Sequence, residues 1–167
     1  KRMTWDELLD KARKATKVSG NVTETWGLIF DQINRAWNVL PLPNSLGGVG
    51  ISPDGFTATG YINSPAWVKA MQFYQDLFNK YAVAPKGPNT NEARALFDAG
   101  KVAFSMGDPA LFARHSKTQD VGWAPVPYFK DGKPVVGCGS WHAAVNAYSK
   151  NKSQAAKFLK YITLEQG

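Results

Sequence analysis

The stretch EARALFDAGKVAFSM, residues 92–106, decides the fold class. Its first half, Glu92 to Ala99, reads as a helix closed by Gly100, a residue that follows a last helical turn in the left-handed conformation without a steric penalty. Its second half, Val102 to Met106, reads as a strand. Gly107-Asp108-Pro109 then turns the chain, and Pro109 suits the first position of a short helix reaching Arg114. Helices alternating with short strands point to an α/β layered domain.

The same alternation extends in both directions. Upstream, Thr4-Trp5-Asp6-Glu7 forms a capping box. Apolar residues at 5, 8, 9, 12 and 15 then give one stripe of an amphipathic helix that Ser19-Gly20 is expected to end. Trp26 to Phe30 reads as a buried strand. Asp31 to Leu40 reads as a loop and a short helix carrying Trp37, stopped by Pro41, Pro43 and Gly47-Gly48. Ile51 to Tyr61 is expected to be a hairpin turning at Asp54-Gly55. Ser64 and Pro65 open the longest helix, with Trp67, Ala70, Met71, Tyr74, Leu77, Phe78 and Tyr81 on its buried face. Downstream, Val121 to Pro127 is expected to be a strand, Lys130 to Lys133 a turn and Val135 to Val145 extended. Ser153 to Thr163 closes the chain as a helix with Ala155, Phe158, Leu159 and Ile162 on one face. Trp5, Trp26, Trp67 and Trp123 read as core, and His115 as surface.

A chain of 167 residues is long enough for one domain with a real core. Its 44% hydrophobic and 20% charged residues exclude a disordered class. No apolar run approaches the roughly 20 residues that cross a bilayer, and no signal peptide is visible behind Lys1-Arg2-Met3. The net charge of +7 raises the question of an anionic partner, but the basic residues are scattered over helix faces. Nucleic-acid binding needs a clustered footprint, so no nucleic acid is expected. The single cysteine, Cys138, allows no internal disulfide and has no visible partner for nucleophilic catalysis. His115 and His142 lack the spacing of a zinc site, and no metal or cofactor is expected.

Five segments in order now carry a resemblance: Thr4-Trp5-Asp6-Glu7-Leu8-Leu9; Asp54-Gly55 with Ile62-Asn63-Ser64-Pro65; Phe97-Asp98-Ala99-Gly100-Lys101-Val102-Ala103; Ala124-Pro125-Val126-Pro127; and Ser149-Lys150-Asn151-Lys152 with Ala155-Ala156-Lys157-Phe158-Leu159. Together they resemble the family 1 extracellular solute-binding proteins, the group that includes maltose-binding protein. The resemblance implies an α/β lobe of the periplasmic-binding-protein type II kind within an incomplete two-lobe fold. Residues 1–128 would form the second lobe, residues 129–142 a hinge crossing, and residues 143–167 a strand end and helix belonging to the first lobe. The sequence is then expected to be a fragment of a longer protein.

The resemblance also implies a function. Such a protein captures a sugar or oligosaccharide in the cleft between its lobes and delivers it to the membrane permease of an ABC importer. It works in the periplasm or outside the cell, in some cases lipid-anchored to the cytoplasmic membrane, and it is a carrier without catalysis. The full-length protein is expected to be a monomer, and the fragment prone to self-association.

Sugars present apolar CH faces and many hydroxyls, so a cleft needs aromatic platforms beside polar groups. The resemblance implies as candidate ligand residues Asp31, Gln32, Asn34 and Trp37 after a strand end, Gly107 and Asp108 in a turn facing the cleft, and Ser140 and Trp141 where the hinge re-enters the first lobe. Trp141 is the leading aromatic platform. His142, its strand neighbour, is expected to point away. Many family members carry Trp at the position of Ala110, and its absence here puts that stacking mode in doubt. Two alternatives stay open. A polyol is a ligand this family also uses, and a carbohydrate-active enzyme would need two carboxylates across a bond, yet Glu7, Glu24, Glu92 and Glu165 all read as surface.

Overall fold

The computed structural model describes residues 2–30, 36–107, 113, 115, 121–137 and 142–165. The chain divides into two units, Lys1–Gly137 and Cys138–Gly167.

The first unit opens with α1 (Trp5–Ala15). Its capping box forms as the sequence predicts: the Glu7 amide donates to Thr4 Oγ1 at 3.2 Å, and the Thr4 amide donates to Glu7 Oε2 at 2.7 Å. The helix ends at Ala15, earlier than expected. Ser19 and Gly20 belong instead to a hairpin of β1 (Lys17–Ser19) and β2 (Val22–Phe30), paired antiparallel with Ser19 opposite Val22. Gly20, at φ 57°, takes the left-handed turn that such a two-residue connection demands. The sequence reading took a hairpin glycine for a helix stop because both sites ask for positive φ.

β2 changes character along its length. Its first half is exposed or half-buried, and its last four residues, from Gly27 to Phe30, are buried. There it pairs in parallel with β3 (Val102–Met106), and Phe30 stands opposite Met106. Between them come two short helices, α2 (Ala36–Val39) and α3 (Pro41–Ser45), the long α4 (Pro65–Asn79), and α5 (Thr90–Asp98). α5 has its own capping box between Asn89 and Glu92. The sheet order is β1-β2-β3.

The core sits between α1, α4 and the sheet. Trp5, Leu8, Leu9, Ala12, Leu28, Phe30, Leu42, Ala70, Leu77, Val83, Ala84 and Phe129 form one buried cluster. Trp5 organises its aromatic part, with ring centroids 5.6 Å from Phe73 and 6.4 Å from both Phe30 and Phe129. A smaller cluster of Ile29, Ala93 and Val102 joins α5 to the sheet. Gly27 lets α1 lie directly on β2, because a Cβ there would fall 2.1 Å from the Ala12 carbonyl oxygen.

Two regions expected to be extended form no ladder. Residues 51–61 make successive turns instead of a hairpin. Asp54 gathers this loop: Ser52 Oγ donates to its carboxylate, as does the Phe56 amide at 3.1 Å, while the Thr57 amide donates to Ser52 Oγ at 2.9 Å. The side chains compete for the amides that a ladder would need. Residues 121–127 form no strand either, and pairing begins only at the parallel bridge between Thr4 and Tyr128. Gly122, Pro125 and Pro127 make that segment a poor ladder donor.

In the second unit, α6 (Lys152–Lys160) runs into a π-helical turn, Tyr161–Glu165. The helix exists where the sequence places it. Its apolar face is not buried: Phe158 is 62% exposed and Ile162 40%, with Ala155 and Leu159 half-buried.

Candidate functional site

Because β2 and β3 are parallel and in register, both end at one edge of the sheet, at Phe30 and Met106. In open α/β sheets, ligands bind beyond the carboxyl ends of the strands. Gly107 leaves the sheet there and also lines a cavity of 680 Å³, within the range of about 300–1,000 Å³ typical of small-molecule sites. The cavity follows the whole of β3. Phe97 to Gly100 lie at one part of its wall, Val121 to Pro127 at another, and Met3 and Leu8 complete it. The lining is mostly apolar, with Asp98 and Ser105 as side-chain polar groups.

Of the two predicted ligand residues among those described, Gly107 lines this cavity. Trp37 lies on α2, 38% exposed, and does not line it. Its backbone packs instead on Gly137, where a Cβ would stand 2.5 Å from the Trp37 carbonyl oxygen. Asp31, Gln32, Asn34, Asp108, Ser140 and Trp141 lie outside the described residues, as do Ala110 and Cys138. His142 is exposed.

Two residues are placed differently from expectation. Trp123, read as core, is 57% exposed and lines the cavity. The glycine and prolines around it were the available signal, since they argue against a packed strand. His115, read as surface, is 4% exposed. Its Nε2 lies 2.9 Å from Asp98 Oδ1, and its ring meets Phe97 edge-on at 5.5 Å. Nothing in the local sequence marks it, because Asp98 and Phe97, which meet it here, come from the end of α5.

The turn after Tyr128, where the hinge was expected to begin, is fastened to the lobe. The buried Ser45 hydroxyl donates to the Lys133 carbonyl at 2.8 Å and accepts from the Phe129 amide at 3.2 Å. The Lys133 amide donates to the Ser45 carbonyl at 2.8 Å. Lys69 on α4 pairs with Asp131, and its hydrogen bond holds that carboxyl below the usual carboxylate range. Asp54 is lowered likewise, first by Ser52 and then by the Phe56 amide. Burial raises the Tyr74 phenol above its ordinary value. Among the described residues no three His, Cys, Asp or Glu side chains gather to hold a metal ion, and no helix is long and apolar enough to cross a membrane.

A sequence profile for bacterial extracellular solute-binding proteins matches residues 2–167. The chain belongs to this family. Among curated relatives of the solute-binding family, a probable ABC transporter-binding protein of Deinococcus radiodurans is 32% identical over 96% of the chain and 40% of its own length. Among solved family structures, a Thermotoga lettingae ABC transporter solute-binding protein bound with α-D-tagatose is similar at 28% identity, with a TM-score of 0.74. The maltose-bound MalE3 of T. maritima is similar at 27% identity, with a TM-score of 0.75. The maltotriose-bound MalE domain of Bdellovibrio bacteriovorus, at 24% identity and a TM-score of 0.79, shares the fold. The chain covers 96–98% of itself in these three comparisons but 42–44% of the neighbours. It is an α/β lobe of the periplasmic-binding-protein type II kind, and it spans less than half the length of these solute-binding relatives.

Proposed function

We propose that this chain serves the solute-capturing component of an ABC importer, as the second lobe and hinge of a carbohydrate-binding protein. Residues 1–128 are assigned to that lobe, 129–142 to the hinge crossing, and 143–167 to the first lobe. The observation that carries the reading is the shared carboxyl edge of β2 and β3, with Gly107 leaving it beside an open cavity. The sugars in two solute-binding relatives of 27–28% identity support a carbohydrate as the ligand class. In this reading Trp141 and Trp37 supply aromatic platforms for apolar sugar faces, while Asp31, Gln32, Asn34, Asp108 and Ser140 meet hydroxyls. Gly107 lets ligand approach the backbone. The loaded two-lobe protein acts in the periplasm or at the outer face of the cytoplasmic membrane and passes the sugar to the permease. The exposed apolar face of α6 agrees with a helix whose packing partner is the first lobe.

The test is a tryptophan-fluorescence titration of the two-lobe protein with maltose, maltotriose, tagatose and a polyol. Saturable binding of one carbohydrate, weakened about tenfold or more by Trp141→Ala, is the expected result. Turnover of the sugar into products would favour an enzyme instead. Absence of binding to every carbohydrate would remove the proposed ligand class.

A further inference from the structure

Trp37 and Ser45 stand near the two ends of one helical rod. Leu40, between α2 and α3, keeps helical dihedrals of φ −55° and ψ −33°. The Leu40 amide donates to the Ala36 carbonyl at 2.7 Å, and the Asn44 amide to the Leu40 carbonyl at 3.1 Å. The two short helices therefore continue each other, and the rise from Trp37 to Ser45 is about 12 Å. Residues 129–137 run beside this rod in the opposite direction. At its Ser45 end they are held by the hydrogen bonds of Ser45 to Phe129 and Lys133. Main chain also meets main chain there, since a Cβ on Gly132 would fall 2.3 Å from the Ser45 carbonyl oxygen. At the Trp37 end the same close approach occurs at Gly137, at 2.5 Å from the Trp37 carbonyl oxygen. The chain from Lys133 to Gly137 must cover the about 12 Å between these points, and at full extension it reaches at most about 14 Å. The segment is a taut strap.

The two ends differ in what can give way. Ser45 and Leu42 on α3 are buried, and Leu42 belongs to the main core cluster, whereas α2 has no fully buried residue. Given the proposed role of Trp37 as a sugar platform, on which this inference rests, we propose that Gly137 is a positioning residue of the binding cleft. Because it carries no side chain, the strap can lie directly on α2 and set where the Trp37 ring meets ligand. No left-handed dihedral asks for glycine at 137, so the requirement is one of space. A methyl group there meets a strap without slack, and α2 shifts by about 1 Å to restore an ordinary contact. A binding group has to be held within about 0.5 Å of its productive place, so such a shift costs contact with the ligand. Gly132 serves the fold instead, because the chain it touches is anchored in the core.

The test uses the two-lobe protein labelled with 5-fluorotryptophan, the Trp37 fluorine signal being identified by its loss in Trp37→Phe. Gly137→Ala is expected to move that signal without ligand, and Val136→Ala, at the exposed neighbouring position, to leave it in place. Calorimetric titration with maltose, maltotriose and tagatose should show affinity reduced about tenfold by Gly137→Ala. The reduction should vanish when Trp37→Ala is already present, since the glycine acts through that ring. The Tm of unliganded Gly137→Ala should stay within about 2 °C of the parent, while Gly132→Ala should lower it by more than about 5 °C. A Trp37 signal that does not move would overturn the proposal, whether or not any sugar binds. So would an equal loss of affinity in the Trp37→Ala background, or a Gly137→Ala protein that melts as low as Gly132→Ala. Parental affinity in Trp37→Ala would refute the platform role itself and this proposal with it, whereas weakened Trp37→Ala beside an unmoved signal would refute the placement by Gly137 alone.

Discussion

Gly27→Ala is the sharpest perturbation of the lobe. Gly27 lies in β2 with ordinary strand dihedrals, so an alanine there suffers no conformational penalty of its own. The obstacle is α1. The added Cβ would lie 2.1 Å from the Ala12 carbonyl oxygen, 2.5 Å from its carbon and 2.7 Å from its Cα. All three are backbone atoms, so no rotamer change relieves the clash. The helix must move away by more than an ångström, which parts Leu8, Leu9 and Ala12 from Leu28 and Phe30 across the centre of the core. Overpacking that side chains can absorb costs about 1–3 kcal/mol, and here the backbone must yield, so about 3 kcal/mol or more is expected. For a chain of this size each kcal/mol lowers the Tm by about 2–4 °C, giving a loss of about 6–12 °C by differential scanning calorimetry. Two controls separate the cause. Gly55→Ala, at φ 82° with nothing within 4 Å, should lose only the left-handed preference, about 1–2 kcal/mol. Ala12→Gly combined with Gly27→Ala should not rescue, because the collision is with the main chain. A Gly27→Ala protein melting within about 2 °C of the parent would refute the reasoning, and rescue by Ala12→Gly would place the clash in the wrong atoms.

Ser45→Ala leaves the Phe129 amide and the Lys133 carbonyl without their side-chain partner. A loss of about 1–3 kcal/mol is expected in urea unfolding, with faster exchange of the Phe129 amide. Asp131, lowered by its Lys69 hydrogen bond, binds its proton less readily folded than unfolded. Its contribution is present above the unfolded pKa and disappears as pH falls through the folded value, so Lys69→Met should raise the Asp131 pKa in a carboxyl NMR titration. Tyr74 has the opposite sign. Burial raises its pKa above 10.0, so the folded state keeps the proton longer and stability falls as pH rises past that value, and Tyr74→Phe should flatten the alkaline limb of a Tm–pH curve.

Much of the lobe was legible because its helices carry local signals. Thr4-Trp5-Asp6-Glu7 caps α1, Ser64-Pro65 opens α4, and Ala99-Gly100 closes α5, each within a few residues. Most of the core stripe of α4 was equally readable, since Ala70 and Leu77 are its buried members and Met71, Tyr74, Phe78 and Tyr81 pack against their cluster, as does Phe73, which the predicted stripe omitted. Strands were less legible because a ladder depends on a partner distant in sequence. Ile51 to Tyr61 has the composition of a hairpin, yet Ser52 and Asp54 capture its amides locally.

The site was harder to read for a related reason. Residue type indicates what a side chain can do, whereas its exposure is decided by elements elsewhere in the chain. Trp5 and Trp123 both looked like core. Trp5 sits on a capped amphipathic helix whose other face is polar, so the helix itself directs the ring inward, to 1% exposure. Trp123 sits in a segment punctuated by Gly122, Pro125 and Pro127 that makes no ladder, so no strand pattern turns its ring into a core, and it stands 57% exposed on the wall of the cavity. The same contrast separates the two faces expected to be buried. The α4 face meets α1 and the sheet within the lobe, while the α6 face has no comparable cover among the described residues. A local pattern thus identifies an apolar face, on α4 as on α6, whereas the cover that buries such a face is supplied by elements elsewhere in the chain.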